Sequence, residues 1–363
     1  MDPANKGSDE YKKLMDKPKH VGKIGYLGWN YHGLAFQPGT NTVEDEIFKA
    51  FIKLKLLKSP ISQSRYSKCG RTDAGVSASC QVVSCFLRSN VLKQNELTQE
   101  EICEKHKALY LRSLNSALPW DITVLAYSFV GPDFDARKSC LSRTYKYFLP
   151  SKGVDFELLQ QSSKYFVGKH DFRNFCKVSK SNPLKSFVRE IQDISVDSSD
   201  SQTFAITIKA NSFLYNQIRC MLYVLLMVAC KYEDPKVILN LLDVDKTPDK
   251  PDYDILSGIP LVLCNCEFTD VDWVLSENDS KLLQKEYVID LSKINVIETL
   301  KSAHMAAPSE YLDSPKIDIP SLSLVSDFQN MYIKIMDRPK NRMFSHFRGK
   351  RSETIRKMLN NET

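Results

Sequence analysis

The chain lacks any apolar run long enough to cross a bilayer. Its longest, residues 221–230, is interrupted by Tyr223 and is about half the length a membrane helix needs. An apolar signal core near the N-terminus is also absent. No arginine precedes Arg65, while Asp2, Asp9, Glu10 and Asp16 all do, which argues against an arginine-rich, acid-poor mitochondrial presequence. There are ten cysteines but no Cys-x-x-Cys pair, so a zinc ribbon or dithiol redox motif is not expected. Cys264 and Cys266 are two apart, would share one face of a strand, and read as packed thiols. The six histidines form no pair at helical metal-ligand spacing. A Walker loop, a Gly-x-Ser-x-Gly elbow and a dinucleotide fingerprint are all missing. Neither a metal nor a cofactor is therefore expected. Scattered reduced thiols fit the nucleus or cytoplasm.

What is present can build a large core. The chain has 363 residues, 42% of them hydrophobic, which suits two domains or more. The formal net charge of +6 permits a polyanionic partner without demanding one. Strand and helix patterns alternate. Residues 23–29 read as a strand. Thr42 caps a helix in which Val43, Ile47, Ala50 and Leu54 recur at helical spacing, with Glu44, Asp45 and Glu46 suiting the N-terminal dipole. Thr98 and Glu101 form a capping box for a helix reaching about Leu118, stopped by Pro119. Residues 122–130 are a strand, with Leu125, Tyr127 and Phe129 on one face. Gly131-Pro132 is the best linker. Strands follow at 141–149, 188–196, 203–210 and 259–268. Asp155 caps a helix to Phe166, and Asn211-Ser212 caps a long one over 213–231.

The expected organisation is an arm over 1–19, read as disordered, then an N-terminal α/β half over 20–130 and a second α/β half over 131–270. A partly helical extension with a basic tail fills 271–363. Within it, 294–303 reads as a helix and 309–324 as loop. The last stretch, 338–357, carries eight lysines and arginines against Glu353, with Phe344, His346 and Phe347 interleaved. It is either a solvated tail or a phosphate-binding extension.

Three segments place polar groups in apolar surroundings. Arg71 and Asp73 lie in the glycine-containing stretch 69–78, which feeds a strand. Taken alone, that stretch is equally a turn with a surface salt bridge. Arg143 and Tyr145 lie on a strand. Arg219 lies in the long helix, where it either snorkels or pairs with Asp73 across the two domains.

These residues sit in motifs that resemble a known family. Gly70-Arg71-Thr72-Asp73-Ala74-Gly75-Val76-Ser77-Ala78 is similar to the active-site motif of the TruA family of tRNA pseudouridine synthases. Leu114-Asn115-Ser116-Ala117-Leu118-Pro119-Trp120-Asp121-Ile122 resembles the family's Leu-Asn-x-x-Leu-Pro-x-Asp-Ile. Phe134-Asp135-Ala136-Arg137 and Arg143-Thr144-Tyr145-Lys146-Tyr147 resemble its Phe-x-Ala-Arg and Arg-x-Tyr-x-Tyr elements. Gly168-Lys169-His170-Asp171-Phe172-Arg173-Asn174-Phe175 and the segment from Ala210 to Arg219 complete five motifs in family order. The opening residues 23–33, the form Cys69-Gly70-Arg71-Thr72-Asp73 and the late Arg338-Pro339 resemble the eukaryotic branch acting at tRNA positions 38 and 39. Ala74 departs from that branch, which often has lysine there.

The resemblance implies an α+β fold. Two ferredoxin-like-derived α/β halves would form a continuous, mixed, mainly antiparallel sheet, with a central RNA-binding cleft and helices on the outer face. It implies isomerisation of uridine to pseudouridine in the anticodon stem-loop of tRNA, without a cofactor. Asp73 would be the essential carboxylate, either as nucleophile on the sugar or as base. Arg219 would keep it ionised, Arg71 would help hold the flipped nucleotide, and Tyr145 would stack on the base and assist proton transfer. The same fold also admits other tRNA or small nuclear RNA targets, or a catalytically silent tRNA-binding chaperone. The family often forms homodimers, and no oligomer signal is read in these residues.

Overall fold

The computed structural model of the chain describes residues 19–57, 61–88, 110–178, 186–197, 203–269, 271–275 and 333–340. The N-terminal arm before Lys19, the start of the helix expected from Thr98, the helix and loop expected over 294–324 and the tail beyond Lys340 lie outside the described residues. The chain divides into two compact units, Met1–Phe148 with Gly258–Lys316 and Leu149–Ser257 with Ile317–Thr363. These units do not follow chain order. The division falls after Phe148 rather than at Gly131-Pro132, because the strand following that dipeptide pairs with one from 261–267.

The first unit is built on a sheet. Its strands are β1 (Lys19–Tyr26), the two-residue β2 (Ser67–Lys68), β3 (Ser77–Cys85), β4 (Ile122–Val130), β5 (Ser142–Pro150), β9 (Leu261–Glu267) and β10 (Val274–Leu275). Their order is β10-β4-β1-β3-β9-β5, with β2 on β3. All neighbours are antiparallel except β3 and β9. β1 begins at Lys19, four residues earlier than its apolar pattern announces. Lys19 is buried, and its Nζ donates to the Phe134 carbonyl at 2.7 Å, so a residue assigned to the arm belongs to the sheet.

Helix α1 (Val43–Lys53) starts where the sequence places it. Thr42 is extended, and its hydroxyl accepts from the Asp45 amide at 3.3 Å, a cap that contributes about 1 kcal/mol. Val43, Ile47, Ala50 and Phe51 are the buried apolar stripe. Glu44 does more than face the helix dipole. It is buried, accepts from the Phe36 amide at 2.8 Å, and pairs with Lys68 at 2.6 Å. That pair ties α1 to the residue before Cys69.

Helical residues 110–117, here α2, run into Pro119. β4 contains a bulge: the register passes from Ala126 to Val124 against consecutive residues of β1, skipping Leu125. Leu125 therefore does not share a face with Tyr127 as simple alternation predicts. Asn115 holds this point. Its amide donates to the Val124 carbonyl at 3.1 Å and accepts from the Val124 amide at 2.7 Å. The Leu-Asn-x-x-Leu-Pro motif is thus a pin between helix and bulged strand.

The second unit holds an antiparallel meander of β6 (Gly168–Asp171), β7 (Val188–Asp197) and β8 (Thr203–Ala210). It also holds helices α3 (Phe156–Ser163), α4 (Gln217–Ala229) and α5 (Lys236–Leu242). Phe204, Ile206 and Ile208 are buried as their alternation requires, and Phe166, Phe172 and Phe175 form an aromatic cluster. Asp155 caps α3 by accepting from the Leu158 amide at 3.0 Å. Among the described residues no helix is long and apolar enough to cross a membrane. The architecture is mixed α+β with largely antiparallel sheet.

Candidate active site

The loop carrying Arg71 and Asp73 leaves β2 at Cys69 and enters β3 at Ser77. Its start is fixed by two interactions. The Cys69 amide donates to the Val82 carbonyl at 2.8 Å, and the Gln81 side chain bonds both the amide and the carbonyl of Gly70, at 3.3 and 3.1 Å. Thr72 is buried; its hydroxyl meets the Tyr26 hydroxyl at 2.7 Å, and its carbonyl accepts from the Leu34 amide at 3.1 Å. The Gly75 amide donates to the Tyr31 carbonyl at 3.2 Å, and the Val76 amide closes a turn onto the Asp73 carbonyl at 3.1 Å. Gly75 has φ +77°, a geometry side-chain-bearing residues avoid. Asp73 stands half-buried and Arg71 exposed on this framework.

The backbone on two sides leaves no room for side chains. A Cβ on Gly28 would lie 2.1 Å from the Val76 carbonyl oxygen, and one on Gly258 would lie 2.5 Å from that of Ala74. The motif's own glycines explain only part of the loop's shape. Gly28 and Gly258, far away in sequence, let two other segments press against it.

Tyr145 belongs to the same unit as Asp73. The row Ala78, Leu263, Tyr145 crosses β3, β9 and β5, so Tyr145 stands two strands, about 10 Å, from the start of β3. Its hydroxyl is 3.9 Å from where a Cβ on Gly70 would stand. The ring is 8% exposed, and burial pushes its hydroxyl well above the ordinary tyrosine range. It is therefore a phenol, a proton donor, at neutral pH.

Arg143 proves to be a strut. It is buried, and its Nη2 donates to the carbonyls of Cys69 at 2.8 Å and Arg137 at 3.0 Å. Those bonds join the loop's entrance to the Phe-x-Ala-Arg motif. A buried guanidinium is tolerated when its donors are met in this way. Asp121 receives the Tyr31 hydroxyl at 2.8 Å, and burial raises its carboxyl above the usual range. Gly28, Gly258, Gln81 and Tyr26 carry no individual sequence signal. The opening motif containing Gly28 gives the only hint of them.

Arg219 lies in the second unit. α4 begins four residues later than the sequence suggests. Asn211 and Ser212 do not cap it; the Ser212 hydroxyl donates to the Asn211 side chain at 3.3 Å. Asn216 instead takes a left-handed φ of +58°, which asparagine tolerates, and the Gln217 side chain accepts from the Leu214 amide at 2.7 Å. Tyr215 therefore precedes the helix and is exposed, rather than lying one turn below Arg219. Arg219 is the third helical residue, where the dipole disfavours a cation. Its Nε donates to the Leu256 carbonyl at 2.5 Å and its Nη1 to the Asn216 side chain at 2.9 Å. These two bonds orient the guanidinium.

The Gly-x-His-Asp-Phe segment is structural. Arg173 pairs with Asp171 at 2.6 Å, and Asn174 donates to the carbonyls of Leu241 and Thr247 at 2.9 and 2.7 Å. Three cysteines, Cys69, Cys140 and Cys266, converge in the first unit. Their spacing in sequence hid this. Cys264 is not among them, because the pairing of β9 with β5 skips it.

Residues 163–269, which include Arg219, match a family model described as tRNA pseudouridine synthase. A protein of Homo sapiens named tRNA pseudouridine(38/39) synthase is 33% identical over 358 residues, covering 89% of this chain and 74% of that protein. One of the same name from Saccharomyces cerevisiae is 38% identical over 256 residues, covering 69% and 58%. The tRNA pseudouridine synthase A of Methanosarcina mazei is 35% identical over 223 residues, covering 61% and 75%.

Proposed function

We propose, because this chain belongs to the TruA-type family of tRNA pseudouridine synthases, that it isomerises uridine at positions 38 and 39 in the anticodon stem-loop of tRNA. Its place of work would be the nucleus or cytoplasm. The relatives' shared name supplies the positions. The observation that carries the chemistry is the Asp73 loop, held by backbone and buried side chains while Asp73 itself stays half-buried. A carboxylate held in one place before the substrate arrives needs no reorganisation when it reacts.

The reaction breaks the bond from C1′ of the ribose to N1 of uracil, turns the base, and joins C1′ to C5. The proton on C5 is lost and N1 gains one, so atoms balance and no electrons are exchanged. Asp73 is assigned the essential carboxylate role, as nucleophile at C1′ or as base at the sugar. Arg219 is assigned the motif's role of keeping that carboxylate ionised. Its guanidinium is oriented from the first turn of α4 by the Leu256 carbonyl and the Asn216 side chain. Arg71, exposed on the loop, contacts the flipped nucleotide. Tyr145 faces the base and, being a phenol, donates rather than abstracts a proton.

The test is pseudouridine mapping after incubating the purified chain with unmodified tRNAs carrying uridine at 38, at 39, or at neither. Product at 38 and 39 alone is expected. Product only elsewhere would overturn the target assignment, and none on any tRNA would overturn the activity.

A further inference from the structure

Cys69, Cys140 and Cys266 come from three distant parts of the chain, and their Sγ atoms all lie within 4.8 Å of one another. All three side chains are buried, at 1%, 8% and 4% exposure. Each is fixed by its backbone. Cys69 follows β2 with its amide on Val82, Cys140 lies two residues before β5, and Cys266 lies on β9 opposite Arg143. Packing alone does not ask for three thiols to face one another. Cys264, two residues from Cys266, turns its sulfur to the Val262 carbonyl at 3.5 Å instead.

We propose that these three cysteines are the protein ligands of a thiophilic divalent cation, zinc by chemical class, which clamps the entrance of the Asp73 loop to β5 and β9. A zinc–thiolate bond of about 2.3 Å sets neighbouring sulfurs roughly 3.8 Å apart in a tetrahedral site, so closure needs movements of about 1 Å or less. Charge selects the valence. Three thiolates and a divalent ion leave one negative charge, and the buried guanidinium of Arg143, bonded to the Cys69 carbonyl, supplies the matching positive one. A monovalent ion would leave an uncompensated charge. Three protein ligands leave the fourth tetrahedral position to water. The proposal does not depend on the assigned reaction.

The experiment uses the full chain, purified reduced and metal-free, and titrated with Co²⁺ as a spectroscopic probe. Uptake of one equivalent is expected, with a thiolate-to-cobalt charge-transfer band and strong tetrahedral d–d bands that Zn²⁺ bleaches. Cys140→Ser and Cys266→Ser should each lose the charge-transfer band, with circular dichroism confirming the fold, while Cys264→Ser keeps it. Absence of the band in the wild type would overturn the proposal, whatever the folding of the variants. So would its persistence in both Cys140→Ser and Cys266→Ser.

Discussion

Asp73, Tyr145 and Arg219 differ in how their surroundings prepare them. Asp73 is positioned by backbone, Tyr145 by burial within a sheet, and Arg219 by hydrogen bonds that include the Leu256 carbonyl and the Asn216 side chain. Tyr145 gives the sharpest prediction at this scale. Tyr145→Phe keeps the ring and removes the proton donor. It should leave tRNA affinity unchanged and lower single-turnover pseudouridine formation by about 100-fold. In the wild type, burial holds the phenol's pKa above its usual value, so the group stays protonated below that value and its contribution fades only as pH rises beyond it. The rate should therefore show no decline from this group between about pH 7 and 9. Weakened tRNA binding with an unchanged rate would instead assign the hydroxyl to binding and contradict the stacking role. The sequence showed that Arg143, Tyr145 and Arg219 were polar groups in apolar settings. It did not show that Arg143 is a strut, because the carbonyls it meets belong to Cys69 and Arg137, and a carbonyl leaves no mark on residue type.

Elements were legible where local chemistry sets them and obscure where distant segments do. The Thr42 and Asp155 caps and the strands over 122–130 and 203–210 follow from short-range pattern. The start of α4 did not, because Asn211-Ser212 looks like a cap and a left-handed Asn216 does not announce itself. The bulges at Leu125 and Cys264 were equally hidden, since an extra residue is visible only against its partner strand. The Asp73 loop depends on such long-range fitting. Gly258→Ala would place a methyl 2.5 Å from the Ala74 carbonyl oxygen, with backbone on both sides of the clash. The loop must shift, and a displacement of about 1 Å at a reacting group can cost on the order of 100-fold in rate. Rate should fall by about that factor with tRNA affinity preserved, as measured by single-turnover kinetics beside equilibrium binding. A variant with the wild-type rate would show that the loop tolerates movement.

For the molecule as a whole, the sequence order of elements suggested two successive halves, while packing groups β5 and β9 with the first. Strand pairing across more than a hundred residues decides this, and no window of sequence contains it. The five motifs nevertheless identified the family, because each is a local cluster of glycines, prolines and charged residues. Each cluster also has one structural role, whether clamping the loop, pinning the bulge, bracing β5 or seating Arg219. On the proposed function, this framework exists to present one carboxylate to a tRNA uridine. The most direct measurement compares wild type and Asp73→Asn in single-turnover pseudouridine formation on unmodified tRNA, with binding measured in parallel. Equal tRNA affinity and no detectable pseudouridine from the variant are expected; measurable turnover by Asp73→Asn would contradict the role proposed for Asp73.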